Sequence, residues 1–156
     1  MYSKQEVREK KKRFWSSFGI YMKKYIPQYG GKIKWVNYNT QCSPIFFKVD
    51  ADNKLATFSI EVVHSKDAIR ELFYMQLEEY KTVLQGYFKT ELIWSANQYN
   101  ESGNLVDLIY VELPKKSVLV EDNWKELFQF FEQNLIAAHE FWEDLGEVFK
   151  QMEREL

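Results

Sequence analysis

The sequence predicts an α+β domain: a five-stranded, mostly antiparallel sheet with helices packed on it, in the order α-β-β-β-α-β-β-α. Three observations predict it. Apolar residues recur at three- and four-residue spacing near both ends and in the middle of the chain; short alternating or continuous apolar runs lie between; and the clearest pair of short runs is separated by a tight turn. With 156 residues, 46% of them hydrophobic and 17% aromatic, the chain has the length of one domain and an ordinary apolar share. It can bury roughly 70% of its unfolded surface, so neither a disulfide nor a structural metal is required. No Pro/Ser-rich linker or internal repeat marks a boundary, and residues 1–156 read as a single domain.

The first helix is expected from about Ser3, a good N-cap, to Tyr25, with Pro27 and the Gly30-Gly31 pair beyond its end. Its apolar stripe is Val7, Phe14, Phe18, Tyr21 and Tyr25. Residues Lys32 to Tyr38 alternate, Ile33 and Trp35 against Lys32 and Lys34, and read as a half-buried strand. Ile45 to Asp50 and Leu55 to Val63 flank Ala51-Asp52-Asn53-Lys54, where Asp and Asn suit a tight turn. With Asp52-Asn53 as the turn, Phe47 opposes Phe58, Val49 opposes Ala56 and Ile45 opposes Ile60, and these six share the core face. Phe46, Lys48, Asp50, Thr57, Ser59 and Glu61 fall on the other. A one-residue slip would exchange the two faces.

Ser65 is placed to cap a second helix running to about Leu84, with Asp67 in its first turn and Gly86 at its end. Its buried stripe is Ile69, Leu72, Phe73, Leu77, Tyr80 and Leu84. Leu92 to Asn97 and Val106 to Leu113 form the last two strands, joined by the polar loop 100–104. From about Asn123 onward, Trp124, Phe128, Phe131, Leu135, Ala138, Trp142, Leu145, Phe149, Met152 and Leu156 alternate in steps of four and three. A helix of that length is roughly 50 Å long and the domain only ~40 Å across, so it should overhang or bend. The expectation is an antiparallel pair with the first helix inside one chain. In the alternative, an acidic overhang (Glu143, Asp144, Glu147, Glu153, Glu155) meets the lysines of a second copy.

The net charge of -2 conceals a polar distribution: residues 1–54 hold 12 Lys/Arg against 4 Asp/Glu, and the remainder 9 against 19. Such asymmetry can attract a polyanion to one side or draw two copies together, and self-complementarity is the preferred reading. No apolar run approaches the ~20 residues of a membrane span. No apolar signal core follows the charged N-terminus, and there is one cysteine. The expected setting is the cytoplasm, away from membranes.

Several separated blocks have a more specific character: Arg13-Phe14-Trp15 with Phe18-Gly19 and Tyr21-Met22; Lys32-Ile33-Lys34-Trp35-Val36-Asn37-Tyr38; Asp50-Ala51-Asp52-Asn53-Lys54; Ile60-Glu61; Ile69-Arg70-Glu71-Leu72-Phe73; and Phe141-Trp142. Together, from about Arg13 to Trp142, they resemble an uncharacterised bacterial family, domain of unknown function 4268. The resemblance implies no activity. It implies a context, because similar domains occur alone and at the C-terminal end of longer bacterial proteins with nuclease-like regions, and an accessory role in nucleic-acid metabolism or defence follows by association only.

The order helix, three strands, helix, strand is also similar to the core of restriction-endonuclease-like nucleases, which makes Asp50 and Glu61 the weak catalytic candidates. Glu61 is followed by Val62-Val63, so the lysine of the Glu-x-Lys pattern is missing. In the register above, the two carboxylates lie six residues apart, nearly ~20 Å. His64, Ser65 and Arg70 at a strand-to-helix junction form an anion-binding candidate, opposed by Asp67 in the same turn. Lys11, Lys12, Lys32 and Lys34 with Trp35 form a nucleic-acid candidate, in which the ring would stack and the lysines bind phosphate. The plainer reading has Trp35 in the core and the lysines on a solvated edge. His64 and His139 have no partner at metal-ligand spacing, Cys42 has no base beside it in sequence, and no metal or cofactor is expected. The sequence thus points to a non-catalytic protein-interaction or accessory module acting as a homo-oligomer or with a protein partner. A nucleic-acid-associated module comes second and a divergent nuclease third.

Overall fold

A computed structural model describes residues 1–156. Helix α1 spans Lys4–Tyr21 and opens with a capping box, in which the Glu6 amide donates to the Ser3 hydroxyl and the Ser3 amide donates to the Glu6 carboxylate. One 3-10 turn, Met22–Lys24, closes it. Residues 25–44 then follow an irregular path, and the expected strand Lys32 to Tyr38 does not form. Asn37 and Gln41 adopt left-handed φ values of 63° and 58°, which interrupt an extended run. Trp35 and Tyr38 are covered by packing on a helix, not by pairing in a sheet. The alternation there is real, but it records which side of a loop is buried.

The sheet is therefore four-stranded and antiparallel, not five-stranded. Strands β1 (Ile45–Ala51), β2 (Leu55–Val62), β3 (Ile93–Tyr99) and β4 (Leu105–Pro114) lie in the order β1-β2-β4-β3. In the first hairpin Phe47 faces Ile60, Val49 faces Phe58 and Ala51 faces Ala56. This is two residues from the expected register. The Asp52 carboxylate accepts from the amides of Lys54 and Leu55, which moves the tight part of the turn one residue along. A shift of two keeps every side chain on its expected face, so the division into core and outer residues holds.

The single helix expected from Ser65 to Leu84 is broken at Tyr80 into α2 (Asp67–Glu79) and α3 (Lys81–Tyr87). The Tyr80 ring rests against Phe141 and Phe149, while Leu72 of the expected stripe is exposed and Arg70 is buried in its place. Helix α4 (Trp124–Arg154) has 31 residues, about 46 Å of helix. Its expected seam is buried or half-buried from Trp124 to Met152, while Leu156, the last residue expected in it, lies beyond the helix end and is exposed.

Helix α1 pairs with α4 as foreseen, but the two run parallel. Arg13 bonds Glu121, Phe14 packs on Trp124, and Tyr21 donates to Glu132, so both chains advance together. The polar contacts fix a direction that the apolar pattern alone left open. The far half of α4 does not overhang: the Trp142 indole N–H donates to the Thr40 carbonyl at 2.8 Å, and Ser43 donates to Glu153. The irregular segment lies over α4 as a strap. All helices thus gather on one face of the sheet, where α4 meets β1 and β2, and α2 meets β2 and β4. The opposite face has no helix on it.

Candidate functional site

Alternation along the strands turns Phe46, Lys48 and Asp50 of β1, Thr57, Ser59 and Glu61 of β2, and Leu108, Tyr110 and Glu112 of β4 to the uncovered face. All of these but Phe46, with the 98–102 end of the second hairpin, line a depression of about 660 Å³. Phe46 and Ile93, opposite Glu61 and Tyr110, are exposed large apolar side chains on this face. One ammonium, Lys48, stands among four carboxylates, Asp50, Glu61, Glu101 and Glu112. The Glu61 side chain is only 13% exposed; its Oε1 lies 3.3 Å from Lys48 Nζ but has no partner in hydrogen-bonding geometry.

Asp50 and Glu61 do share this face. The observed register sets Asp50 opposite Thr57 and Glu61 opposite Phe46. Four residues along a strand separate them, on the order of 13 Å, less than the sequence suggested and still too far for one ion to bridge. No three His, Cys, Asp or Glu side chains converge anywhere in the chain closely enough to hold a metal.

The anion candidates point in different directions. Ser65 is exposed and is not the cap: Lys66 occupies the N-cap position of α2, and its amide donates to His64 Nδ1 at 2.9 Å. Arg70 is 1% exposed and its guanidinium faces inward. Nη1 donates to Asp67 at 2.7 Å, Nη2 to the Asn97 side-chain oxygen at 2.6 Å, and Nε to Asp107 at 3.3 Å. Asp107 in turn accepts from the Asn97 amide at 2.8 Å, where β3 carries a bulge and Asn97 has φ 56°. This cluster ties α2 to β3 and β4. Asp107 went unread in the sequence, although it shares the phase of the core residues Ile109 and Val111 and so had to face inward.

Of the nucleic-acid candidates, Lys12, Lys32 and Lys34 are exposed and Lys11 is half-buried near Asp52. Trp35 is 7% exposed, with Tyr25, His139 and Tyr38 ring centroids at 5.1, 5.5 and 6.4 Å. It presents no open ring face to a base.

A second unforeseen cluster surrounds His139 on α4. The Tyr38 hydroxyl and Nδ1 share a hydrogen bond of 2.6 Å, and Glu143, one turn on, lies against Nε2. Burial holds the His139 pKa below its ordinary value of 6.5, with Glu143 and Glu140 partly opposing. Burial, then Glu143, raises that of the Tyr38 hydroxyl, which stays protonated. The His139/Glu143 spacing was visible in sequence, but Tyr38 arrives from a segment read as a strand. Cys42 is 3% exposed, and burial, then Glu153, pushes its thiol up to about 12.

No helix is long and apolar enough to cross a membrane. Neither the curated proteins nor the solved structures contain a match to this chain. A family model described as a domain of unknown function (DUF4268) matches residues 10–146, a span that runs from α1 through the core of α4 and includes every cluster described above. The chain belongs to the DUF4268 family.

Proposed function

We propose that this chain is a non-catalytic protein-interaction or accessory module of the bacterial cytoplasm, and that its contact surface is the uncovered face of the sheet. One observation supports this reading above the others: the four-stranded sheet is covered by helices on one side only, while the other side exposes Phe46 and Ile93 beside a broad depression. Exposed apolar side chains grouped with polar neighbours are characteristic of association surfaces. The buried polar groups support it from the other direction, since Arg70, Asp107 and His139 are engaged inside the fold.

The test is affinity capture with identification of what is captured, comparing the wild-type chain with Phe46→Ser/Ile93→Ser. A named partner held by the wild type and lost from a variant with unchanged circular dichroism supports the reading. Partners retained equally by both overturn it.

A second reading, association with nucleic acid, is favoured by Lys4, Arg8 and Lys12, which are exposed at four-residue spacing on α1 and so form one line along the helix. It predicts retardation of DNA or RNA that weakens steeply with salt and disappears in Lys4→Glu/Arg8→Glu/Lys12→Glu.

A further inference from the structure

We infer that the depression on the uncovered face receives a lysine- or arginine-bearing segment of a partner protein; this rests on the interaction reading above and names the chemistry of the partner. The lining sets four carboxylates against one ammonium, so an anionic partner is repelled there and a cationic one drawn in. The one ammonium is already engaged. Lys48 Nζ lies 3.3 Å from Glu61 Oε1 and 5.6 Å from the centroid of the Phe46 ring. The face thus already holds one cation between a ring and a carboxylate, and a guest lysine or arginine would repeat that arrangement beside Tyr110 and Glu112, with its aliphatic stem on the ring.

Glu61 Oε1 is buried against Lys48 Nζ, so direct contact with a guest cation falls to Asp50, Glu101 and Glu112, and Glu61 contributes its charge to the face. A second copy of the chain is a poor occupant. Its basic line lies on α1, which packs on α4 and therefore on the covered side of the sheet. Docking that line on the opposite face of another copy is a head-to-tail contact, which a two-fold dimer does not make.

The experiment is fluorescence anisotropy at low salt with a short labelled peptide alternating arginine and alanine, beside its counterpart with citrulline for arginine, which keeps the shape and removes the charge. The arginine peptide should bind at least about tenfold more tightly, and Glu112→Gln and Glu61→Gln should each weaken it on the order of three- to tenfold. Glu112 is exposed, so its variant tests the face without touching the core. Glu78→Gln/Glu79→Gln, exposed on α2, should leave binding within about twofold. Equal affinity for the two peptides overturns the inference, as does binding insensitive to Glu112 and Glu61, or a wild-type chain whose face is closed by self-association in sedimentation. None of these results rescues or removes a captured partner that depends on Phe46 and Ile93, so the interaction reading stands or falls separately.

Discussion

The indole of Trp142 lies flat against the bare backbone of Gly146, one helical turn further along α4. A Cβ at position 146 would stand 2.9 Å from the indole Cδ2 and Cε2. The ring has little room to retreat: its N–H is bonded to the Thr40 carbonyl at 2.8 Å, Phe47 meets it edge-on at 5.8 Å, and Phe149 stacks on it at 5.4 Å. Gly146→Ala therefore sets two effects against each other. Helix propensity improves by ~1 kcal/mol, while overpacking typically costs about 1–3 kcal/mol. A net loss is expected, read as a lower urea midpoint with an unchanged slope. A higher midpoint would show that the indole yields freely.

Arg70 and Asp107 make a buried pair whose members each retain only 2% of their side-chain exposure. Removing Asp107 leaves Arg70 Nε and the Asn97 amide without their acceptor while Asp67 still pairs the guanidinium, so Asp107→Ala should cost on the order of 2–3 kcal/mol. Replacing both, as in Arg70→Met/Asp107→Leu, should recover a large part of that loss, because well-packed apolar groups often substitute for a buried ion pair. Urea unfolding of the two singles and the double decides it. Additive losses would mean that the two side chains do not act as a unit.

What the sequence made legible and what it hid follow from the kind of signal each residue emits. The faces of the first hairpin survived a two-residue error in register because sidedness has a period of two, and the seam of α4 was read correctly because apolar spacing reports burial directly. The strand at Lys32 to Tyr38 was misread for the same reason: Trp35 and Tyr38 announce that they are buried, but not whether a strand or a helix buries them. The direction of α1 beside α4 was equally silent, since an apolar stripe has no polarity, and it is Arg13 with Glu121 and Tyr21 with Glu132 that define it. Of the candidate site, the two faces of the hairpin were visible. The acidic depression was not, because Glu101 and Glu112 join Asp50 and Glu61 only once β4 is known to lie beside β2.

The His139 cluster gives the fold a pH dependence of definite sign. Burial is the largest influence and holds the imidazole neutral, against the pull of Glu143 and Glu140 and alongside Tyr25 and Tyr38. The unfolded chain takes up a proton as pH falls through 6.5, whereas the native chain resists until a lower pH. The stability linked to this residue is thus complete above the ordinary histidine value and is lost as pH falls below it, by at most about 1.4 kcal/mol per pH unit. Carboxylates titrate in the lower part of the same range, so the informative quantity is the difference between the wild type and His139→Gln. Their stability curves should converge on acidification. Parallel curves between pH 7 and pH 5 would contradict the assignment.

Cys42 reports on the strap that crosses α4. Its Sγ is 3.7 Å from the Phe149 carbonyl, and the thiol, pushed up to about 12 by burial and then Glu153, holds far less thiolate at neutral pH than an ordinary cysteine. Modification by a thiol reagent must then proceed through opening of the segment around Thr40, Cys42 and Ser43. The Ser43 amide and hydroxyl both donate to Glu153, so Glu153→Gln weakens the closure at a half-buried position outside the core. Labelling of the native wild type should be far slower than in denaturant, and Glu153→Gln should accelerate it several-fold while shifting the urea midpoint little, the mark of a local rather than a global opening. Native labelling as fast as that of an unfolded peptide, or acceleration only in step with a falling midpoint, would show that the strap and the core open together.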